Sequence, residues 1–240
     1  MIPKIIHYCW FGRNKKSPEI LSYIQTWKRF CPEYQIIEWN EDNFDINSNI
    51  YVKQAYEARK WAFVSDYVRL YVIYNYGGIY MDTDVEVIKS LDVFLNYDGF
   101  TGFEIPENPL TGTMGCVAKQ PLIGKVLESY NHRFFINKDG SFDMPTNIVP
   151  FRDICLQHGF EMNNKFQIIE GFALFPNDYL CAYNFKERTF DVTEHTYTAH
   201  HFAGSWLPPF QKFKRKVRKI LGNKLSNKIA GLIQNNNWLR

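Results

Sequence analysis

The stretch Gly-Gly-Ile-Tyr-Met-Asp-Thr-Asp-Val-Glu at positions 77–86 constrains this chain more than any other part of its sequence. Two glycines end a preceding apolar segment, a short buried strand follows, and Asp82 and Asp84 stand where that strand ends. Because the chain turns at this point, both carboxylates can reach one position. Hard divalent ions such as Mg²⁺ and Mn²⁺ prefer oxygen ligands of this kind. Asp-x-Asp is also common in polar turns, so these residues alone leave an ion site and a plain turn open.

The preceding segment, residues 61–76, is an apolar helix with only two charged residues, Asp66 and Arg69. Their spacing places both on one helical face. A helix this apolar is expected to be buried, and buried charges are usually paired or functional. The two residues form either an internal ion pair or a polar face directed at the pocket of the aspartates. The pattern predicts one helix over about residues 52–76.

The rest of the chain follows the pattern of an α/β domain. Residues 2–10 predict a strand, 18–30 a helix and 34–39 a second strand, and this order favours a mostly parallel sheet covered by helices. His7, inside the first strand, is predicted to be structural. The segment 105–115 is rich in Pro, Asn, Gly and Thr and predicts a surface loop beside the site. Neither a Gly-x-Gly-x-x-Gly motif after the first strand nor a P-loop motif occurs, which argues against a dinucleotide-binding or P-loop protein.

The composition indicates one globular domain with a basic end. The chain has 240 residues, of which 45% are hydrophobic, and no apolar run is long enough to cross a membrane. Five scattered cysteines describe neither a disulfide framework nor a zinc site. Residues 211–240 hold nine Lys or Arg and no acidic residue, while the other 210 residues carry 19 basic and 25 acidic side chains. Because the start of the chain lacks a secretory signal pattern, a cytoplasmic location is expected.

Two blocks resemble a known family. Ser-Asp-x-x-Arg at 65–69 and Gly-Gly-Ile-Tyr-x-Asp-x-Asp at 77–84 resemble the sugar-nucleotide-binding region of the DXD glycosyltransferases of family 32. That family includes bacterial capsular polysaccharide transferases and the yeast initiating mannosyltransferase, and it is distantly similar to the glucosyltransferase domains of large clostridial toxins. Residues 2–12 and 200–206 resemble its two end motifs, so the resemblance spans about residues 1–207.

This resemblance implies a fold and a reaction. The fold is α/β of GT-A type, a Rossmann-like nucleotide-sugar-binding fold with a mostly parallel central sheet flanked by helices. A catalytic domain would cover residues 1–207, followed by a basic amphipathic helical tail over 208–240. The reaction would be metal-dependent transfer of a hexose, with retention at C1, from a nucleotide-diphosphate sugar, with a UDP-sugar favoured. The acceptor would be a glycan, linked to a lipid such as polyprenyl diphosphate, in bacterial surface polysaccharide biosynthesis.

The resemblance also implies a metal site with Mn²⁺, or Mg²⁺, on Asp82 and Asp84. A third ligand is expected from the tandem histidines near the end of the similar region. Two adjacent residues of a strand point to opposite faces, so at most one histidine readily faces the aspartates. The resemblance selects His201, with His200 and Ser205 as rivals. Neutral imidazole beside carboxylates suits Mn²⁺ better than Mg²⁺.

Four residues of the motif blocks are expected to surround the donor. Asp66 and Arg69 would bind the sugar hydroxyls, one accepting and the other donating hydrogen bonds. Ser65 and Tyr80 belong to the same motif and are expected at the sugar-nucleotide. With the two aspartates, Asp66 and Arg69 make up the predicted catalytic set.

Four further residues are candidates for donor binding, each with a structural alternative. Trp10, at the end of the first strand, is similar to the tryptophan that stacks on the nucleotide base, and it can equally be a core residue. Asn147 is expected to face the donor sugar, or to cap a helix that begins there. The resemblance implies that the indole N–H of Trp206 reaches the diphosphate, as in the toxin relatives, with Ser205 beside it at the donor. The alternative for these two residues is a plain Gly-Ser turn after a strand.

The basic end and two other activities complete the expectations. Apolar residues at steps of three and four over 211–240 predict an amphipathic basic helix, which either lies on an anionic membrane surface or packs on the domain. The first case implies a peripheral protein at the inner face of the plasma membrane. An Asp-x-Asp phosphohydrolase is disfavoured because the motif comes late and Glu86 occupies its fifth position. A non-catalytic membrane-surface protein with a vestigial fold is the other alternative, and no nucleic-acid partner is expected.

Overall fold

The computed structural model describes residues 1–203, which form eleven strands and six α-helices. The strands are β1 (Ile5–Cys9), β2 (Gln35–Trp39), β3 (Gly78–Met81), β4 (Val85–Val87), β5 (Gly99–Ile105), β6 (Asn108–Cys116), β7 (Gln167–Ile169), β8 (Phe172–Phe175), β9 (Tyr183–Asn184), β10 (Thr189–Phe190) and β11 (Thr198–His200). The helices are α1 (Pro18–Phe30), α2 (Ile50–Glu57), α3 (Trp61–Tyr76), α4 (Pro121–Glu128), α5 (Ile148–Gln157) and α6 (Asn177–Leu180). Ser205, Trp206 and the predicted tail over 208–240 lie outside the described residues.

A seven-stranded sheet in the order β2-β1-β3-β6-β5-β8-β7 forms the centre of the described residues. The pairs β1/β2, β1/β3 and β5/β8 are parallel, and the pairs β3/β6, β5/β6 and β7/β8 are antiparallel. Five strands therefore run in one direction, with β6 and β7 opposed to them. This confirms the predicted α/β class with a mostly parallel sheet flanked by helices. A separate two-stranded sheet joins β4 to β11.

Apolar side chains cover both faces of the central sheet. Tyr80 belongs to one buried cluster, whereas its neighbours Ile79 and Met81 belong to another. Because successive side chains of a strand point to opposite faces, β3 is enclosed on both sides. All five cysteines are buried and free, as expected for thiols without a disulfide framework. In the described residues, no helix is both long and apolar enough to span a membrane.

The structure corrects two predicted boundaries. The single helix expected over 52–76 is two helices, α2 and α3, because the chain reverses between them with Arg59 at φ +57°. The loop expected over 105–115 is mostly strand β6, which pairs with β3 and β5 inside the sheet. Composition suggested a loop because Gly and Thr occur there. In this strand the glycines instead allow close approaches, since a Cβ on Gly115 would lie 2.6 Å from the Phe100 ring.

The turn from α3 into β3 fixes where the acidic pair emerges. Gly77 and Gly78 have φ values of +67° and +102°, which residues with a side chain rarely adopt. His7 on the neighbouring β1 donates from Nε2 to the Gly77 carbonyl (2.8 Å) and accepts at Nδ1 from the Trp39 indole (3.0 Å). Burial lowers the pKa of His7 to about 4. This histidine is therefore neutral and structural, as predicted, and it ties β1 to the turn.

Candidate functional site

Asp82 and Asp84 lie in a tight turn that follows β3. The Asp82 amide donates to the Gly112 carbonyl of β6 (2.8 Å), and the Val85 amide donates back to the Asp82 carbonyl (3.1 Å). This turn leads directly into β4, so the two carboxylates project from one short, fixed segment. The pair lies just after the carboxyl end of β3, a central strand of the sheet, as expected from the sequence.

His200 joins the two aspartates in a three-residue cluster. One ligand atom from each of Asp82, Asp84 and His200 lies within 4.8 Å of the others. His200 Nε2 is 3.2 Å from Asp84 Oδ1 and 4.0 Å from Asp82 Oδ2. Burial disfavours a charged His200, but the carboxylates of Asp84, Asp82 and Glu104 outweigh it and raise the pKa of the imidazole. Two carboxylates and an imidazole form a donor set that suits Mn²⁺.

The chemistry of the donor set supports the fit of this cluster to a cation. Two carboxylates and one nitrogen of a buried imidazole lie close to one another, with His200 Nε2 as the ring nitrogen nearest to the carboxylates. The other ring nitrogen, Nδ1, is shielded from solvent and has no hydrogen-bond partner among the described residues. The residues present thus fit a divalent ion, and Asp82, Asp84 and His200 are the residues that would hold it.

The structure does not bring His201, the predicted third ligand, to the aspartates. Its Nε2 lies 2.9 Å from Glu86 Oε2, and its ring stacks on Tyr23 at 4.4 Å. Strand β11 pairs antiparallel with β4 so that His200 stands opposite Val85. Because adjacent side chains alternate, this register turns His200 toward the aspartates and His201 away from them. His200, one of the predicted rivals, therefore replaces His201 at the cluster.

Arg69 stands beside the cluster as a fixed buried cation. Its Nη2 is 3.1 Å from Asp82 Oδ1 and 3.3 Å from Asp66 Oδ1, and its Nη1 donates to the Thr111 carbonyl (2.9 Å). The guanidinium also lies over the Tyr80 ring at 4.8 Å. Burial acts to lower the pKa of Arg69, but the charges of Asp82, Tyr80 and Asp66 outweigh burial and raise the pKa. Arg69 therefore stays charged. The structure brings Asp66, Arg69 and Asp82 together.

Asn147 links Asp66 to strand β6. Its backbone amide donates to Asp66 Oδ2 (3.2 Å), and its side-chain oxygen accepts from the Thr111 hydroxyl (3.0 Å). The side chain makes no capping hydrogen bond to α5, although Asn147 immediately precedes that helix. Burial raises the pKa of Asp66 to about 6, while Arg69 and the Asn147 amide act in the opposite direction. Asn147 thus belongs to the site network rather than to a helix cap.

Two of the motif residues have structural partners near the site. The Tyr80 hydroxyl donates to Asp82 Oδ1 (2.8 Å), and only 1% of Tyr80 is exposed. The Ser65 hydroxyl donates to the Trp61 carbonyl one turn earlier in α3 (3.1 Å). The buried Tyr80 therefore orients the Asp82 carboxylate. The contact of Ser65 and Tyr80 with a sugar-nucleotide stays a prediction.

Trp10 lies in a separate surface region at the carboxyl end of β1. It is partly exposed, its indole N–H donates to the Asn14 carbonyl (2.6 Å), and the Lys16 ammonium lies 5.2 Å from its ring centre. Trp10 lines a cleft of about 270 Å³ together with residues that include Asn14, Lys16 and Glu38. A partly exposed ring that lines a cleft agrees with the base-stacking alternative for Trp10, which stays a prediction.

The sequence reading missed three residues of the site, all on the hairpin of β5 and β6. They are Thr111, which contacts Arg69 and Asn147, Gly112, which lies against the cluster, and Glu104. Burial raises the pKa of the Glu104 carboxyl, with Asp82 adding to the effect and His200 and Arg69 opposing it. The assignment of 105–115 to a loop hid Thr111 and Gly112, and Glu104 lies just before that segment, in β5. The Thr-Gly-Thr run at 111–113 was the available signal, because a glycine between β-branched residues can mark a close approach in a strand.

Replacing Gly112 with alanine is expected to weaken Mn²⁺ binding at least tenfold. A Cβ at this position would lie 2.7 Å from His200 Cε1 and 2.9 Å from Asp82 Oδ2, so the ligands would have to separate. The measurement is calorimetric titration with Mn²⁺. Gly102→Ala on the adjacent β5 is the matched control, because its Cβ would meet nothing closer than 3.3 Å. Equal Mn²⁺ affinity in the Gly112→Ala and wild-type proteins would contradict the assigned ligand cluster.

Comparison with known proteins supports this assignment. Residues 17–101 match a family profile described as "Glycosyltransferase sugar-binding region containing DXD motif". The match includes the aspartate pair and the Asp66–Arg69 pair. These four residues therefore lie in the part of the chain that is similar to this sugar-binding region.

Relatives with curated names include proteins that are named glycosyltransferases or mannosyltransferases. The chain is 27% identical over 146 residues to inositol phosphoceramide mannosyltransferase 3 of Schizosaccharomyces pombe, covering 55% of this chain and 40% of the relative. It is 26% identical over 224 residues to an uncharacterized glycosyltransferase of Acanthamoeba polyphaga mimivirus, covering 87% of this chain and 85% of the relative. The chain spans well under half the length of the yeast mannosyltransferases that it matches.

A solved structure described as PaToxG Glycosyltransferase is similar in fold. Its TM-score is 0.50 at 19% identity, over 65% of this chain and 69% of that one. At this identity the likeness concerns the fold alone. It supports the GT-A type of α/β fold for the described residues.

Proposed function

We propose that this chain is a metal-dependent glycosyltransferase that moves a hexose from a nucleotide-diphosphate sugar to a glycan acceptor. One observation carries the proposal: Asp82, Asp84 and His200 converge within 4.8 Å at the end of a strand, and the two aspartates lie in the segment that matches the DXD-type sugar-binding profile. Other arrangements of an Asp-x-Asp pair, such as a plain polar turn, do not require a buried histidine beside it.

The cluster would hold Mn²⁺, or Mg²⁺, through two carboxylates and one imidazole. When bound, the ion supplies positive charge that stabilises the diphosphate as it leaves. The chain keeps these ligands in place. Tyr80 and Arg69 both hold Asp82 Oδ1, at 2.8 and 3.1 Å, so this carboxylate has one orientation. Ligands fixed before the reaction need no rearrangement when charge develops.

Asp66 and Arg69 act first as positioning residues. They are 5% and 6% exposed, and they contact each other, Asp82 and the β6 backbone. In the proposed complex, the Asp66 carboxylate or the Arg69 guanidinium would also contact the sugar hydroxyls. The transfer itself breaks the bond between C1 and the diphosphate oxygen and forms a bond from C1 to the acceptor hydroxyl oxygen. With retention at C1, the hydroxyl proton passes to the leaving diphosphate on the same face.

Donor and acceptor are proposed from the relatives and from the basic end of the chain. The names of the yeast relatives join mannose to inositol phosphoceramide, a lipid, which supports a mannose donor and a lipid-linked acceptor here. UDP-sugars remain candidates beside GDP-mannose, and surface polysaccharide biosynthesis is the proposed setting. The segment 211–240, with nine basic and no acidic residues, would hold the protein at the cytoplasmic face of an anionic membrane.

Titration of the full chain with UDP- and GDP-sugars, in Mn²⁺ and in EDTA, tests the proposal. One donor is expected to bind in Mn²⁺ and to lose at least 90% of its binding heat in EDTA, because the cluster holds the diphosphate only through a cation. Nuclear magnetic resonance of the product would then give the configuration at C1. If no donor binds in either condition, the proposal is wrong. Binding that ignores EDTA would contradict the metal site alone.

A further inference from the structure

A group of aromatic rings extends from the metal cluster to a short hairpin. His200 stacks on Phe202 with ring centres 3.9 Å apart, and Phe202 lies 4.9 Å from Phe185 and 5.3 Å from Tyr183. Tyr183 begins the hairpin of β9 and β10, and Phe185 occupies its loop. One histidine therefore contacts both the aspartates and an aromatic surface.

The hairpin presents these rings to solvent. Phe185 is 41% exposed and Phe190 is 37% exposed, and each packs edge-on against Tyr183 at 4.8 and 5.3 Å. Phe190 also lies 4.8 Å from the His201 ring. Polar groups stand beside them, since the Asn184 amide donates to Asp191 Oδ2 (2.8 Å). The surface thus combines exposed aromatic faces with an amide and a carboxylate.

We propose that the hairpin over residues 183–191 binds a pyranose ring of the acceptor. This inference rests on the proposed function. The acceptor hydroxyl must reach C1 of the donor, and C1 would lie next to the diphosphate that Asp82, Asp84 and His200 would hold through a cation. The aromatic surface is continuous with that point through the Phe202 ring. An acceptor sugar seated on the hairpin would therefore stand beside the reacting bond.

The chemistry of the surface fits a sugar ring better than a lipid chain. The face of an aromatic ring is electron-rich, so it attracts the C–H groups on the flat side of a pyranose. The amide of Asn184 and the carboxylate of Asp191 offer donors and acceptors for hydroxyl groups at the rim of the ring. A lipid chain would gain nothing from those polar groups and would require their desolvation.

The test uses saturation-transfer magnetic resonance of the full chain with a panel of methyl hexopyranosides, which carry no lipid. The wild-type protein is expected to bind at least one glycoside, and Phe185→Ala/Phe190→Ala is expected to weaken that binding at least tenfold. Phe185→Trp with Phe190 unchanged should keep glycoside binding at the wild-type level, because the aromatic face is kept. Phe134→Ala is the matched control, since Phe134 is 53% exposed between α4 and α5.

Donor titration of the same variants separates this inference from the proposed function. Donor affinity is expected to change less than threefold in the hairpin variants, because the aspartate cluster is intact. Glycoside binding that the double variant leaves unchanged, with donor binding present, would overturn the hairpin assignment only. Donor binding by the wild-type protein without binding of any methyl glycoside would also overturn it. A wild-type protein that binds neither donor nor glycoside would overturn both.

Discussion

Asp84→Asn is expected to lower sugar transfer about 10³-fold and to remove measurable Mn²⁺ binding, while the protein stays folded. The ion would supply several kcal/mol of charge stabilisation to the leaving diphosphate, and each 1.36 kcal/mol corresponds to about tenfold in rate. Asp84 lies 3.2 Å from His200, and the replacement keeps the shape of the side chain while removing its charge. Transfer is measured with the donor that the titration identifies, and Mn²⁺ binding by calorimetry.

Glu86→Gln is the matched control for this replacement. Glu86 lies two residues further along the same segment, but its carboxylate contacts His201 at 2.9 Å rather than the cluster. We expect this variant to keep Mn²⁺ binding and transfer within about threefold, as is usual for a partly exposed pair. If Glu86→Gln loses Mn²⁺ and Asp84→Asn keeps it, the site lies on the other face of β4, with His201 rather than His200.

The local parts of the site could be predicted from the sequence because neighbours in the chain determine them. The helix face that joins Asp66 to Arg69 follows from their spacing, and the turn at Gly77 and Gly78 follows from the need for positive φ. The order of strands and helices gave the α/β class in the same way. These features require no knowledge of distant segments.

The predictions that were wrong concern residues whose positions depend on pairing between distant segments. His200 was chosen over His201 by the register of β11 on β4, which joins residues more than 100 positions apart. Nothing in two adjacent histidines reveals that register. Thr111 and Gly112 were missed because their strand is held by β3 and β5, and its composition alone resembles a loop. Tertiary contacts therefore determined the third ligand and one wall of the site.

Arg69→Met is expected to destabilise the fold by about 3–5 kcal/mol, because it leaves the Asp66 carboxylate buried without its cation. Arg69 and Asp66 are both about 7% exposed at the side chain, and Asp82 loses a partner as well. Urea unfolding at pH 8 measures the effect. Arg152→Met, which removes only the pair with the neighbouring Asp153 at the surface, should change stability by less than about 0.5 kcal/mol.

The pH dependence of this loss distinguishes a buried charge from lost packing. Folded Asp66 has a pKa of about 6, above the value of about 4 that is usual for an unfolded chain. Between these values the folded state binds more protons, so the contribution of Asp66 to stability falls as the pH rises. Removing Arg69 raises the folded pKa further. The loss in Arg69→Met should therefore be smaller at pH 5 than at pH 8, and Asp66→Asn should recover part of it at pH 8. An equal loss at both pH values would mean that Arg69 acts through packing and that its charge is not what holds the site together.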